Sequence, residues 1–226
     1  MSVAPGPLKD HMYLAVSLAI GLLSNFTSEK TNFVHKFEEG KTSTFEFNVT
    51  GSQSQGDVSI KALIDMQYGA KVEKGTSLVL KAKELTMEFN GNSMNAAENM
   101  ADQKFVLDET GMPDQIEMSD ASAVIAMTMI LAYLPAKELE VGQTFEINKT
   151  VGDVVYKGSG TYAGDEEQGG HAVAKLKVKA TLGKTGEEDV PLEYVLLYDS
   201  GTNHVVKVDG TAEIEGGNFK FSLMRK

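Results

Sequence analysis

The sequence predicts a mainly β protein, α+β by virtue of one central helix: a single strongly curved antiparallel sheet, or incomplete barrel, of about ten strands. Three observations predict it. From about residue 41 onward, almost every stretch alternates apolar with polar residues and ends at Gly, Asn, Asp or Pro. One interior run, 120–134, breaks that alternation and carries no charge between Asp120 and Lys137. No linker-like composition shift and no fixed-period repeat divides the chain, which assigns 31–226 to one curved β-sheet domain and 1–30 to a separate amino-terminal segment.

The amino-terminal segment contains "MYLAVSLAIGLLS" at 12–24, thirteen nearly unbroken apolar residues. That is short for a bilayer span and suits the apolar region of a secretion signal, or a retained helix packed on the fold. A single lysine precedes it and no A-x-A pattern follows, so both readings stay open.

The strands follow in order. "TSTFEFNVT" (42–50) sets Phe45, Phe47 and Val49 on one face, and "VSIKALIDMQY" (58–68) sets Ile60, Ile64, Met66 and Tyr68 on one face. "LVLKAKELTMEF" (78–89) groups Val79, Leu85, Met87 and Phe89, with Lys81 and Lys83 interrupting the face. "NGNSMNAAENMADQ" (90–103) reads as a polar loop, followed by a strand in "FVLDETG" (105–111). After the helix come "QTFEINKTV" (143–151) and "VVYKGSGTY" (154–162), with "GSG" at 158–160 read as a turn and "AGDEEQGG" (163–170) as a surface turn. "AVAKLKVKATL" (172–182) alternates Leu176 and Val178 with Lys175, Lys177 and Lys179, the mark of a strand dry on one side and wet on the other. Segments 190–199, 204–215 and 218–225 complete the series through short Gly- and Asn-containing turns, which make neighbours antiparallel.

The helix at 120–134 has marked ends: Ser119 or Asp120 can cap it, and Pro135 cannot continue it. Met127, Ile130, Leu131 and Leu134 share one face, yet Ile125 and Met129 leave little of the other face polar. A helix apolar nearly all round must be covered on both sides, so it fills or lids the concave face of the sheet, or packs on an ordinary α+β core with no space left.

Composition removes several classes of function. With no cysteine there is no disulfide, thiolate metal site or thiol nucleophile. A formal charge of −11 and a single arginine, Arg225, disfavour nucleic acid. His11, His35, His171 and His204 show no metal-ligand spacing, no Walker or dinucleotide motif is present, and no nucleophile elbow exists, so no enzyme activity, cofactor or metal is expected. A loose calcium site at 164–170 stays open, since the EF-hand pattern is missing. The eleven methionines fill core gaps or line an adaptable apolar surface.

The order of a strand, "LDETGMPDQIE" (107–117), an apolar helix and "LPAKELEVGQTFEI" (134–147) resembles uncharacterised secreted bacterial proteins related in fold to the LolA/LolB lipoprotein-carrier superfamily. Leu134, Pro135, Val141, Gly142, Thr144 and Phe145 match the segment that starts the next strand there, and "YDSGTNHVVKVDGTAEI" (198–214) is similar to a hairpin of those carriers. The resemblance implies a half-barrel whose mouth is closed by helices and whose apolar cavity takes an acyl chain or lipid. The expected function is therefore non-enzymatic binding of a hydrophobic ligand in the periplasm or outside the cell. The expected lining is Phe45, Phe47, Ile64, Met66, Met87, Phe89, Met127, Ile130, Leu131 and Leu176, and burial there gains about 25 cal/mol per Å². The alternative is a structural or assembly subunit that uses 12–24 or a sheet edge for membrane association or self-assembly.

Overall fold

The computed structural model of the chain describes residues 30–97, 101–113, 127–184, 188–214 and 216–226. Alternation from Thr42 onward folds largely as expected, and several of the strands run longer than their sequence signatures. β1 (Lys30–Phe33) precedes a first meander of β2 (Thr42–Gln53), β3 (Gly56–Val72), β4 (Gly75–Phe89) and the short β5 (Asn92–Asn95) and β6 (Gln103–Leu107). β7 (Lys137–Glu140) leads into a second meander of β8 (Thr144–Val151), β9 (Val154–Gln168), β10 (His171–Lys184), β11 (Val190–Asp199), β12 (His204–Ile214) and β13 (Gly217–Arg225).

β13 pairs antiparallel with β2 and joins the two meanders into one 11-stranded sheet, in the order β5-β4-β3-β2-β13-β12-β11-β10-β9-β8, with β6 also on β4. β1 and β7 form a separate two-stranded ladder. The sheet is not closed by a ladder between its ends. The ends nevertheless meet: Asp108, one residue beyond β6, holds Lys149 of β8 at 2.5 Å between Oδ2 and Nζ. A strongly twisted sheet of this many strands curls on itself, and here side chains span the remaining gap.

One face of the curl is dry. Phe47, Leu176, Leu196, Val208 and Leu223 are among its buried side chains, spread over β2, β10, β11, β12 and β13. Each large side chain so buried contributes roughly 1.5–3 kcal/mol against exposure. Two glycines on this face admit rings flat against the backbone. A Cβ on Gly160 would lie 2.2 Å from Cζ of Phe145, and one on Gly210 would lie 2.5 Å from Cζ of Phe221.

Several sequence expectations are corrected. α-Helical conformation among the described residues is confined to 127–131, so a long central helix is not supported; its expected start, 119–126, lies outside the described residues, as does 12–24. The helical residues end in the left-handed region at Ala132 (φ 51°), and 127–136 together lie as a strap against the dry face, where Tyr133 meets Phe145 and Tyr156. The 90–103 stretch contains β5, because Met94 pairs with Met87. Both "GSG" at 158–160 and residues 163–168 lie inside β9, and the turn is only Gly169–Gly170. In β4 the interruption by charge is a β-bulge: Leu63 pairs with Glu84 and Ile64 with Ala82, leaving Lys83 as an extra residue. The dry face therefore runs Leu78, Leu80, then Leu85, Met87 and Phe89, and Val79 points away from it.

Candidate apolar binding face

The ladders set one row of inward residues across ten strands. It begins Met94, Met87, Ile60, Val49 and Phe221, on β5, β4, β3, β2 and β13. It continues through Gly210, Tyr194, Val178, Gly160 and Phe145, on β12, β11, β10, β9 and β8. All point to the same face, because directly paired residues share a side of the pleat. Their exposure is graded. Phe145, Tyr194 and Phe221 are 2%, 8% and 4% exposed, whereas Met87 is 38% and Met94 59% exposed. The next row adds Phe89, 43% exposed, paired with half-buried Val58.

The strap makes the difference. Tyr133 stacks on Phe145 at 6.3 Å and meets Tyr156 edge-on at 6.0 Å. Leu134, fully buried, donates its amide to Thr110 O at 3.0 Å. Thr128, Met129 and Ala132 face Tyr156, Leu192, Tyr194, Val208 and Phe221 across a cavity of about 10 Å³. The β8–β13 half of the dry face is thus covered and filled. The β2–β5 half, at the end marked by Val58 and Phe89, is open.

The strap is pinned from two directions. Asp108 Oδ1 accepts from Thr110 N (2.9 Å), Thr110 Oγ1 (2.6 Å) and Met112 N (3.1 Å). Burial alone would raise the Asp108 carboxyl, but Lys149, the Thr110 hydroxyl and the Met112 amide outweigh it and hold it below the ordinary carboxylate value. On the other side His35 Nε2 donates to Ala132 O at 3.2 Å, since a carbonyl can only accept. Its ring stacks on Phe37 at 5.2 Å, and Gly111 leaves no room for a side chain against it. Desolvation lowers His35 to about 4, with His204 adding to the effect and Asp108 opposing it.

Of the expected lining residues, Phe45, Phe47, Ile64, Met66, Met127, Ile130, Leu131 and Leu176 come together, but as packed core. Met87 and Phe89 alone of the ten are exposed. Sequence reading missed Met94, hidden in a stretch taken for a loop, and the pair Tyr156 and Tyr194, whose hydroxyls meet at 2.6 Å on the inner face. The repeated spacing of aromatic and glycine in Tyr156, Gly158, Gly160 and Tyr162 was the available signal. Burial raises Tyr156 well above the ordinary tyrosine value and Tyr194 likewise, so both are neutral phenols.

The opposite face carries a shallow trough of about 640 Å³ flanked by Lys177, Lys179, Glu193 and Asp209. Lys179 pairs with Glu193 at 2.8 Å and Lys207 with Asp209 at 2.6 Å, so it is a mixed-charge, solvated surface. In the 164–170 stretch, Asp165 accepts from Tyr162 OH at 2.6 Å and Glu166 pairs with Lys175 at 2.7 Å. Among the described residues no three His, Asp or Glu side chains are placed to hold a metal ion.

The chain matches no protein-family profile, and no curated protein is similar to it in sequence. Among solved structures it is similar to a Bacteroides fragilis protein assigned as exported and as having a YmcC-like fold, with 10% identity and a TM-score of 0.39, over 86% of this chain and 99% of that one.

Proposed function

We propose that this chain is a non-enzymatic binder of a hydrophobic ligand, a lipid or acyl chain, in the bacterial cell envelope, built as a half-barrel of the LolA/LolB kind. The observation that carries the reading is the graded row: one continuous apolar face is sealed by the strap over β8–β13 and left open over β2–β5. A ligand would lie on Val49, Ile60, Leu85, Met87, Phe89 and Met94, in place of the expected interior cavity, most of whose lining is packed core. Three of these are unbranched or aromatic side chains that adapt to an acyl chain without fixed polar contacts. The apolar 12–24 segment, with its secretion-signal character, supports the envelope setting.

The test is native mass spectrometry of protein from a lipid-containing host, without delipidation, beside the double variant Met87→Glu, Phe89→Glu. The wild type is expected to carry lipid mass. The variant, with an unchanged circular dichroism spectrum, should lose it by about tenfold or more in occupancy, since two charges enter the apolar patch. Recovery of only the apo mass from the wild type would overturn the reading. Apo protein that dimerises, with the dimer abolished by the same variant, would put the assembly role in its place.

A further inference from the structure

Tyr156 and Tyr194 bring two O–H hydrogens into the middle of the apolar face, and their 2.6 Å contact uses one of them. Neither hydroxyl has another hydrogen-bond partner among the described residues, which leaves one buried donor with no acceptor. Buried donors are rarely left so. Both tyrosines line the cavity of about 10 Å³ beneath Thr128, Met129 and Ala132, which is room for roughly one oxygen atom. Phe221 also lines it, and Phe221 is the row neighbour of Val49. Along the row, that ring stands between the cavity and Val49, where the open half of the face begins.

We infer that the tyrosine pair is the polar end of the proposed ligand site, donating a hydrogen bond to the carbonyl oxygen of a neutral acyl ester whose tail lies along Val49, Ile60 and Met87. This rests on the lipid-binding reading and narrows its ligand class. From β11, which carries Tyr194, to β3, which carries Ile60, is four strand spacings, ~19 Å, a distance suited to an extended long acyl chain. The cavity lining holds no lysine or arginine, so an anionic phosphate or carboxylate would enter without a counter-charge. A carbonyl oxygen needs only the donor already present. Phe221 has to turn aside as the head enters.

The experiment compares methyl palmitate with heptadecane, a hydrocarbon of similar length lacking an acceptor, by measuring ligand retained through gel filtration. Wild-type protein is expected to prefer the ester about tenfold, the scale of one hydrogen bond. Tyr156→Phe with Tyr194→Phe should bind both probes alike, whereas each single variant keeps one hydroxyl and the preference. Carbonyl-labelled methyl palmitate gives a second readout that needs no variant. Its infrared stretch should move to lower frequency on binding the wild type. Equal retention of both probes by wild type, or an unshifted carbonyl band, would overturn the polar anchor and leave the lipid reading intact. Retention of neither probe would overturn both.

Discussion

At the scale of single residues, stability hangs on groups joining segments far apart in sequence. Asp108 ties its own turn through three donors and reaches Lys149, 41 residues on. Asp108→Ala removes charge-assisted bonds, that to Lys149 among them, so it should cost about 2–3 kcal/mol in urea denaturation. His35 acts through pH. Its folded value of about 4 lies below the ordinary 6.5, so between those limits the unfolded chain binds a proton that the folded chain refuses. Stability should therefore fall by about 1–3 kcal/mol as pH drops from 7 to 4, full above 6.5 and lost through the folded value. His35→Gln should flatten that part of the pH profile; a slope unchanged from wild type would assign it elsewhere. Asp108 adds its own loss only lower, below the ordinary carboxylate range, because its folded value is depressed. Neither role was legible in the sequence. "FVLDETG" reads as a strand throughout, whereas β6 ends at Leu107, and nothing local in it names Lys149; a lone histidine gives no sign of the carbonyl it meets.

At the scale of elements, alternation marked most of the long strands, because a strand wet on one side and dry on the other writes its pleat directly into the sequence. It failed where the pleat changes phase. The bulge at Lys83 shifts the dry residues of β4 from even to odd positions, and an unbroken period of two cannot describe that. In the strap, the helix expected over 120–134 is seen at 127–131 and stops short of Pro135, its start lying outside the described residues: an apolar run covered on both sides shows no period to mark where it ends. What holds the strap is burial, Leu134 above all. Leu134→Ala should cost about 2–5 kcal/mol by leaving a cavity between strap and sheet, measurable in chemical denaturation. Deleting Lys83 makes Ala82 and Glu84 consecutive, opposite consecutive Ile64 and Leu63, so Leu85, Met87 and Phe89 stay on the dry face of a regular ladder and the deletion should unfold at a denaturant midpoint close to that of Lys83→Ala. A midpoint far below that of Lys83→Ala would mean that the fold needs the bulge itself and not only the pairing on either side of it.

On the scale of the whole molecule, two properties oppose each other. The open half of the dry face ends at β5, an edge strand whose four residues are all exposed, beside Met87 and Phe89. Such an edge next to apolar side chains is a template for pairing with another copy. The chain also carries a net charge of −11, which repels copies over a distance set by salt, about 10 Å at 0.1 M and about 3 Å at 1 M. Charge is long-ranged and screened, whereas apolar attraction acts at contact and strengthens in salting-out ions. Light scattering after gel filtration should therefore find a monomer in dilute buffer and association in molar sulfate, with Met94→Glu remaining monomeric in both. A ligand seated on Ile60, Met87 and Phe89 covers the same surface, so loading with methyl palmitate should suppress the salt-driven association of wild type. If association persists undiminished with the ligand bound, the ligand and the second copy occupy different surfaces, and the open half of the sheet is not where the acyl chain lies.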